Sequence, residues 1–327
     1  ISPNIQLPGL DIDIPFLNQV FGRKSRITIS DDLHPEQYVT EIFNDRERRF
    51  RIVNDFGASI TYPLARKTFV SLPYANHYTR YLDSEFKEFN SISQSLSPTL
   101  SFVPTPKTSF FGGAVFSLTH FQEEGNNFRD FILQAGISKE ITAKVNLGLS
   151  GGYQVRTLDE TDETIGGPHI NFFYNHRISR WTQFNFTASQ AIEDTLSGRN
   201  TLGGTRGFEE SAEEGNPSVK RTSLNARISH ELTHRISLHG GVQVFRESGE
   251  DSDGTDFLYR LDAGLSYLIR RGISLNLAYI FTSRSSGGTD DDSDSKDNRI
   301  VLSLNFNRPG GEALVNIERG GRAFLER

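Results

Sequence analysis

The chain has 327 residues, a formal net charge of −6, and neither cysteine nor methionine. Disulfides, thiolate metal sites and cysteine nucleophiles are therefore excluded, and the acidic balance argues against a general nucleic-acid binder. Only 35 % of the residues are hydrophobic, and no run of about eighteen apolar residues offers a membrane-spanning helix. Strands that are polar at every second position hide from such averages. The 25 Phe and 10 Tyr beside a single Trp fit aromatic girdles better than an ordinary core, and the 29 Gly suit tight turns and crowded inner faces. The chain begins at Ile1, so a mature product whose targeting segment has been removed is expected.

Residues 1–24 do not alternate and contain Pro3, Pro8 and Pro15. They are expected to form a leader, a plug entering a barrel, or a segment that meets a periplasmic partner. From Ser25 onward a hairpin grammar takes over. Candidate strands fall at 26–44, 48–63, 68–82, 88–103, 108–123, 127–140, 143–158, 168–179, 181–193, 219–232, 235–247, 256–269, 272–284 and 297–306. That is about fourteen, with twelve to sixteen allowed, and an even number keeps both ends on one side of a membrane.

The alternation is clearest at 256–286. Phe257, Tyr259, Leu261, Ala263, Leu265 and Tyr267 share one face, and Arg260, Asp262, Gly264 and Ser266 share the other. Arg270-Arg271-Gly272 turns the chain, and Ile273, Leu275, Leu277, Tyr279 and Phe281 continue the apolar face. Each arm has the ten or so residues that a tilted strand needs to cross a bilayer. The stretches 143–157, 181–188 and 299–306 repeat the pattern. A slip of one residue would put the polar set into lipid, so the register is firmly specified. Closure of the sheet removes edges that lipid cannot satisfy.

The connections alternate too. One set is short: 64–67, 104–107, 140–142, 179–180, 233–234 and 270–272. The other is longer and acidic: 159–163, 194–217, 247–253 and 287–297. Short turns on one side and long loops on the other are the asymmetry of an outer-membrane barrel, the short side being periplasmic. The expected organisation is all-β: an antiparallel up-and-down transmembrane barrel over 25–306, with 1–24 as leader or plug. The last strand ends on Phe306, and 307–327 follow as a periplasmic tail or docking segment.

The opening SRITISDDLHPEQYVTEIFNDRERRFRIVNDFGASITYPL resembles the start of the outer-membrane β-barrel porin families, in which a first strand leads through a loop into a strand ending in Ser-x-Thr/Ser-Tyr. The resemblance extends along the barrel as a pattern of hairpins. It implies residence in the bacterial outer membrane, and some relatives are encoded with exopolysaccharide-secretion machinery.

Arg51, Asp55, Arg156, Arg177, Arg227, Glu231, Arg260 and Asp262 fall on the inferred lumen face. Arginines lining a pore favour anions; the competing reading is that they pair with carboxylates and stiffen the interior. The acidic 290–297 loop, DDDSDSKD, lacks the glycine and terminal glutamate of a calcium-binding helix-loop-helix. His120, His176 and His230 have no nucleophile elbow beside them, so they read as interfacial residues and no enzyme activity is expected. The expected function is passive passage of small polar or anionic solutes, without cofactor or metal. Arg156, Arg177, Arg227, Arg260, Asp262 and Glu231 are the candidate selectivity residues. Two alternatives stay open: a conduit for polysaccharide export and a plugged scaffold barrel. Lipid and lipopolysaccharide are the expected surroundings. A periplasmic partner would meet 1–24 and 307–327, and the barrel is free to oligomerise.

Overall fold

A computed structural model describes residues 5–11, 26–42, 45–82, 87, 90–122, 127–159, 162–194, 218–248, 255–270, 272–285, 295–307 and 313–322, with the backbone alone in 5–11, 26–27, 32–50 and 305–322. The first strands are β1 (Ile5–Asp11), β2 (Arg26–Ile42), β3 (Asp45–Ala65), β4 (Thr68–Tyr81), β5 (Ser91–Leu96) and β6 (Thr99–Thr105). Next come β7 (Thr108–Phe121), β8 (Phe128–Thr142), β9 (Val145–Leu158), β10 (Thr164–Arg177), β11 (Thr182–Asp194) and β12 (Ser218–Thr233). The last are β13 (Ile236–Ser248), β14 (Thr255–Arg270), β15 (Ile273–Ser285), β16 (Ser295–Asn307) and β17 (Ala313–Arg322).

All described pairings are antiparallel and run from one strand to the next along the chain, which makes an up-and-down barrel. β5 and β6 occupy one crossing, since both pair with β4 and with β7. The break falls at Ser97-Pro98, where proline has no N–H to give to the ladder. Counted that way, the fourteen expected strands are β2 to β16. Two further strands lie beyond the 25–306 span: β1 pairs with β2 and β17 pairs with β16. The sequence missed both because Pro8 interrupts one and Gly320-Gly321 the other, so neither alternates. Residues 12–25, where a plug was expected to continue, lie outside the described residues.

The registers fix which side each residue faces, because the side-chain period is two. Leu133 on β8, Tyr153 on β9, Leu261 on β14 and Leu277 on β15 all stand on the outward parity. Leu133 is 59 % exposed and Tyr153 55 %. Many other large apolar side chains share this face, an area no water-soluble monomer would leave open. On β14 the outward series runs from Tyr259 to Tyr267. Eight steps of about 3.4 Å each, tilted by about 40°, span roughly 20 Å, close to the apolar band of a barrel with aromatic girdles at both rims.

The two ends differ in charge. The short-turn end displays Arg66, Lys67, Lys107, Lys144, Arg180 and Arg235. The Arg180 guanidinium lies 4.9 Å from the Trp181 ring centroid. Gly272 takes φ 83° in the β14–β15 turn, where a side chain would be strained.

Candidate functional site

The inner wall is built from rows of residues facing one another across successive strands. One row runs Asn146, Asn175, Asn185, Arg227, Gly241, Asp262, Ile280 and Arg299. The next runs Phe173, Thr187, Asn225, Gln243, Arg260, Thr282 and Asp297. Below them Arg177 faces Gln183, and Gln183 faces Ser229. Glu231 faces Ser237 near the short-turn end. Arg51, Asp55, Arg156, Arg177, Arg227, Glu231, Arg260 and Asp262 thus all have inward parity, but they do not form one cluster.

Their surroundings separate them. Arg177, Arg227 and Glu231 are exposed within the lumen, and none of the three makes an ion pair among the described residues. Arg260 is half-buried and acted on by Asp262, Arg299 and Arg227, so three arginines and one carboxylate share a short stretch of the β12–β16 wall. Arg299 is held by Asp297 at 3.2 Å. At the far rim Arg284 pairs with Asp256 at 2.9 Å, and Arg221 pairs with both Glu193 and Glu247. Arginine–carboxylate pairing holds at the rim, whereas Arg177 and Arg227 stand open lower in the lumen.

Arg156 corrects an expectation. It was expected to line the lumen but is 3 % exposed. The cause is a local overlap of the wall. β10 pairs with β11 only as far as Ile170↔Gln190, although both strands continue outward. Beyond that point the described outer ends of β11 and β12, around Ile192 and Ser218, stand inside those of β9 and β10. Ile192 is on the outward parity of β11 but only 3 % exposed. Its side chain comes within 3.7 Å of where a Cβ would stand on inward-facing Gly167. Gln154 of β9 reaches across Gly167 and replaces the missing ladder: Ile192 N donates to its Oε1 at 3.0 Å, and its Nε2 donates to Ile192 O at 2.9 Å.

Arg156 closes this overlap. Its Nε and Nη2 donate to the Asp130 carboxylate at 2.8 and 2.7 Å, and its Nη1 donates to Ser218 Oγ of β12 at 3.0 Å. The guanidinium lies 4.0 Å from the Phe128 ring centroid. Phe121, Phe128, Leu158, Ile165 and Ile192 complete a small dry core between the layers. Arg156 is therefore a clasp of the outer mouth. A strand-period reading cannot find it, because parity gives the face of a residue and not whether a second layer covers it.

Four inward residues lean on glycines directly opposite. Phe111 lies over Gly136, Phe173 over Gly148, Asp262 over Gly241 and His239 over Gly264. At Gly148 an added Cβ would come within 2.3 Å of the Phe173 ring. The absent side chain lets the bulky neighbour lie flat, which keeps it out of the passage.

A constellation missed by sequence reasoning joins Asp55, His77 and Thr79. His77 Nδ1 is 2.5 Å from Asp55 Oδ1, and Thr79 Oγ1 is 3.0 Å from His77 Nε2. It mimics a carboxylate–imidazole–hydroxyl relay, but Thr79 is 1 % exposed, so no substrate carbonyl reaches its oxygen. The three histidines singled out earlier all have outward parity. His176 meets the Tyr174 hydroxyl and His230 the Thr182 hydroxyl near the short-turn rim, where a polar aromatic suits the interface.

Comparison with known proteins agrees with this architecture. The family described as "Putative beta-barrel porin 2" matches residues 100–308. No curated protein matches the chain by sequence. Among solved structures, the chain is similar to the FrpB iron transporter from Neisseria meningitidis. Its F5-1 variant gives a TM-score of 0.52 at 9 % identity, over 86 % of this chain and 55 % of that one. The F3-3 variant gives 0.50 at 10 % identity, over 91 % and 56 %. Acinetobacter baumannii OccAB4 gives 0.48 at 8 % identity, over 94 % and 90 %. The chain thus spans about half the length of the FrpB structures, and the likeness is one of fold. With the family match covering β6 to β16, the chain, an up-and-down barrel of the bacterial outer membrane, belongs to this β-barrel porin family.

Proposed function

We propose that the barrel is a passive channel for small polar solutes with a preference for anions, and that it performs no covalent chemistry. The observation that carries this reading is the pair of open cations, Arg177 and Arg227, exposed on an otherwise amide- and hydroxyl-rich wall. A polar lumen lowers the cost of taking a hydrated solute across hydrocarbon. Fixed positive charge draws anions to the lumen and raises the barrier for cations. Arg260 and Arg299 with Asp262 and Asp297 form a second, self-compensated group, and Glu231 tempers the field near the periplasmic end. Arg156 has no part in selectivity, because its charge is spent on Asp130 inside the overlap.

Purified protein inserted into a planar bilayer should give discrete, stable conductance steps in KCl. Under a salt gradient the reversal potential should take the sign of chloride preference. Protein that is folded by its far-ultraviolet circular dichroism but gives no steps would contradict the channel reading, and cation preference would contradict the role of the two arginines.

A further inference from the structure

We propose that the inner wall just above the short turns of β6 to β11 is a binding site for a small polyhydroxylated carboxylate, of the sugar-acid class. The inference rests on the channel reading for its biological sense, and on the wall itself for its chemistry. A concavity of about 410 Å³ lies there, lined by Asn146, Asn175, Gln183 and Asn185 together with Arg177 and Lys107. That volume lies within the range of small-molecule sites, about 300–1,000 Å³.

Three features of the lining converge. First, Asn146, Asn175 and Asn185 face one another across β9, β10 and β11, so three amides stand in a row at the strand spacing of about 4.8 Å. No hydrogen bond among the described residues engages these amides or that of Gln183. Each amide offers two donors and an acceptor, which matches hydroxyl groups that both donate and accept. A bare inorganic anion would leave the acceptors unused, and an apolar solute would leave all of them unused.

Second, the amide row runs straight into a cation. Asn185 faces Arg227 on β12, and Arg177 follows Asn175 on the same face of β10. A guanidinium binds a carboxylate through two parallel hydrogen bonds. Glu140 is the carboxylate among the lining residues, set against Arg177, Lys107 and Lys144, so the local balance is positive. Third, the Phe173 ring lies over Gly148, one step outward from the Asn146–Asn175 pair. A flat apolar ring beside a row of amides suits a molecule with hydroxyls on its edge and C–H groups on its face.

Titration calorimetry on detergent-purified protein tests this without requiring conduction. The probes are glucuronate, glucose, which has the hydroxyls without the charge, and acetate, which has the charge without the hydroxyls. Glucuronate should bind at least ten-fold more tightly than either. Asn146→Ala/Asn175→Ala/Asn185→Ala should bring glucuronate down to the level of acetate. Asn175→Asp, a near-isosteric change, should repel glucuronate and spare glucose. Glucuronate binding no tighter than acetate would overturn the proposal, as would an unchanged affinity in a folded triple or Asn175→Asp variant. Failure of the channel reading is told apart in the bilayer: protein that binds glucuronate yet passes no current keeps the site and loses the channel, whereas conducting protein that binds none loses the site alone.

Discussion

Arg156→Ala should open the outer mouth. The substitution strands the Asp130 carboxylate in a layer where it is nine-tenths buried, and it removes the Ser218 contact and the cation stacked on Phe128. Removing one partner of a buried pair costs about 3–5 kcal/mol, most of it the penalty of the charge left behind. With sixteen crossings among the described residues, that loss need not unfold the sheet. It falls on a place where the wall is not a continuous ladder, the seam beyond Ile170↔Gln190. The outer ends of β11 and β12 should detach from β9 and β10, with larger single-channel conductance and a lower melting temperature in detergent. Arg156→Met combined with Asp130→Leu should recover much of the stability, since an apolar pair of similar volume replaces a buried ion pair at little cost. Conductance and melting temperature both unchanged in Arg156→Ala would show that the overlap does not depend on the clasp.

Neutralising the two open arginines should weaken anion preference, most strongly in dilute salt. At about 10 Å in water, one fixed charge acts on a passing ion with roughly 0.4 kcal/mol. Two together give roughly 0.8 kcal/mol, about a four-fold effect on chloride, with a similar effect of opposite sign on potassium. Screening over a Debye length of about 10 Å at 0.1 M reduces this, and at 1 M, with about 3 Å, it nearly vanishes. Arg177→Gln/Arg227→Gln should therefore lower the chloride-to-potassium permeability ratio several-fold at 0.1 M and hardly change it at 1 M. Arg156→Met/Asp130→Leu, which removes both charges of the 2.7 Å pair together, should not shift the ratio in this salt-dependent way. An unchanged ratio at 0.1 M would assign selectivity to some other part of the lumen.

Much of the fold could be read from the residues because the two faces of each strand meet such different solvents. Lipid on one side and water on the other impose the period of two on β14 and β15 so strongly that the facing of Tyr259, Arg260, Leu261 and Asp262 followed from spacing alone. The registers put the candidate residues on the face that the spacing assigned them, although a second layer covers Arg156 there. Spacing failed as a guide where strands of the same wall do not carry the alternation. β1 and β17 carry Pro8 and Gly320-Gly321 in place of alternation, and their pairing is a long-range fact that local pattern does not encode. The Arg156 environment was hidden for another reason. Gly166-Gly167-Pro168 weakens the outer half of β10, Pro168 withholds a ladder donor, and the missing side chain at Gly167 makes room for Ile192 and Gln154. Those residues read as an ordinary strand start until the sheet is assembled around them. The Asp55–His77–Thr79 contacts likewise needed β3 and β4 to be in register.

The division between a lipid face and a watered lumen can be measured directly, because the chain has no cysteine of its own. Single cysteines at Asn185, Phe186, Thr187 and Ala188 sample four successive positions of β11, two of each parity. In protein reconstituted into bilayers, a charged, water-borne thiol reagent should modify Asn185→Cys and Thr187→Cys quickly and change the current. It should leave Phe186→Cys and Ala188→Cys untouched. Equal reaction at all four positions, or reaction at 186 and 188 alone, would contradict the barrel orientation on which the proposed function and the proposed site both rest.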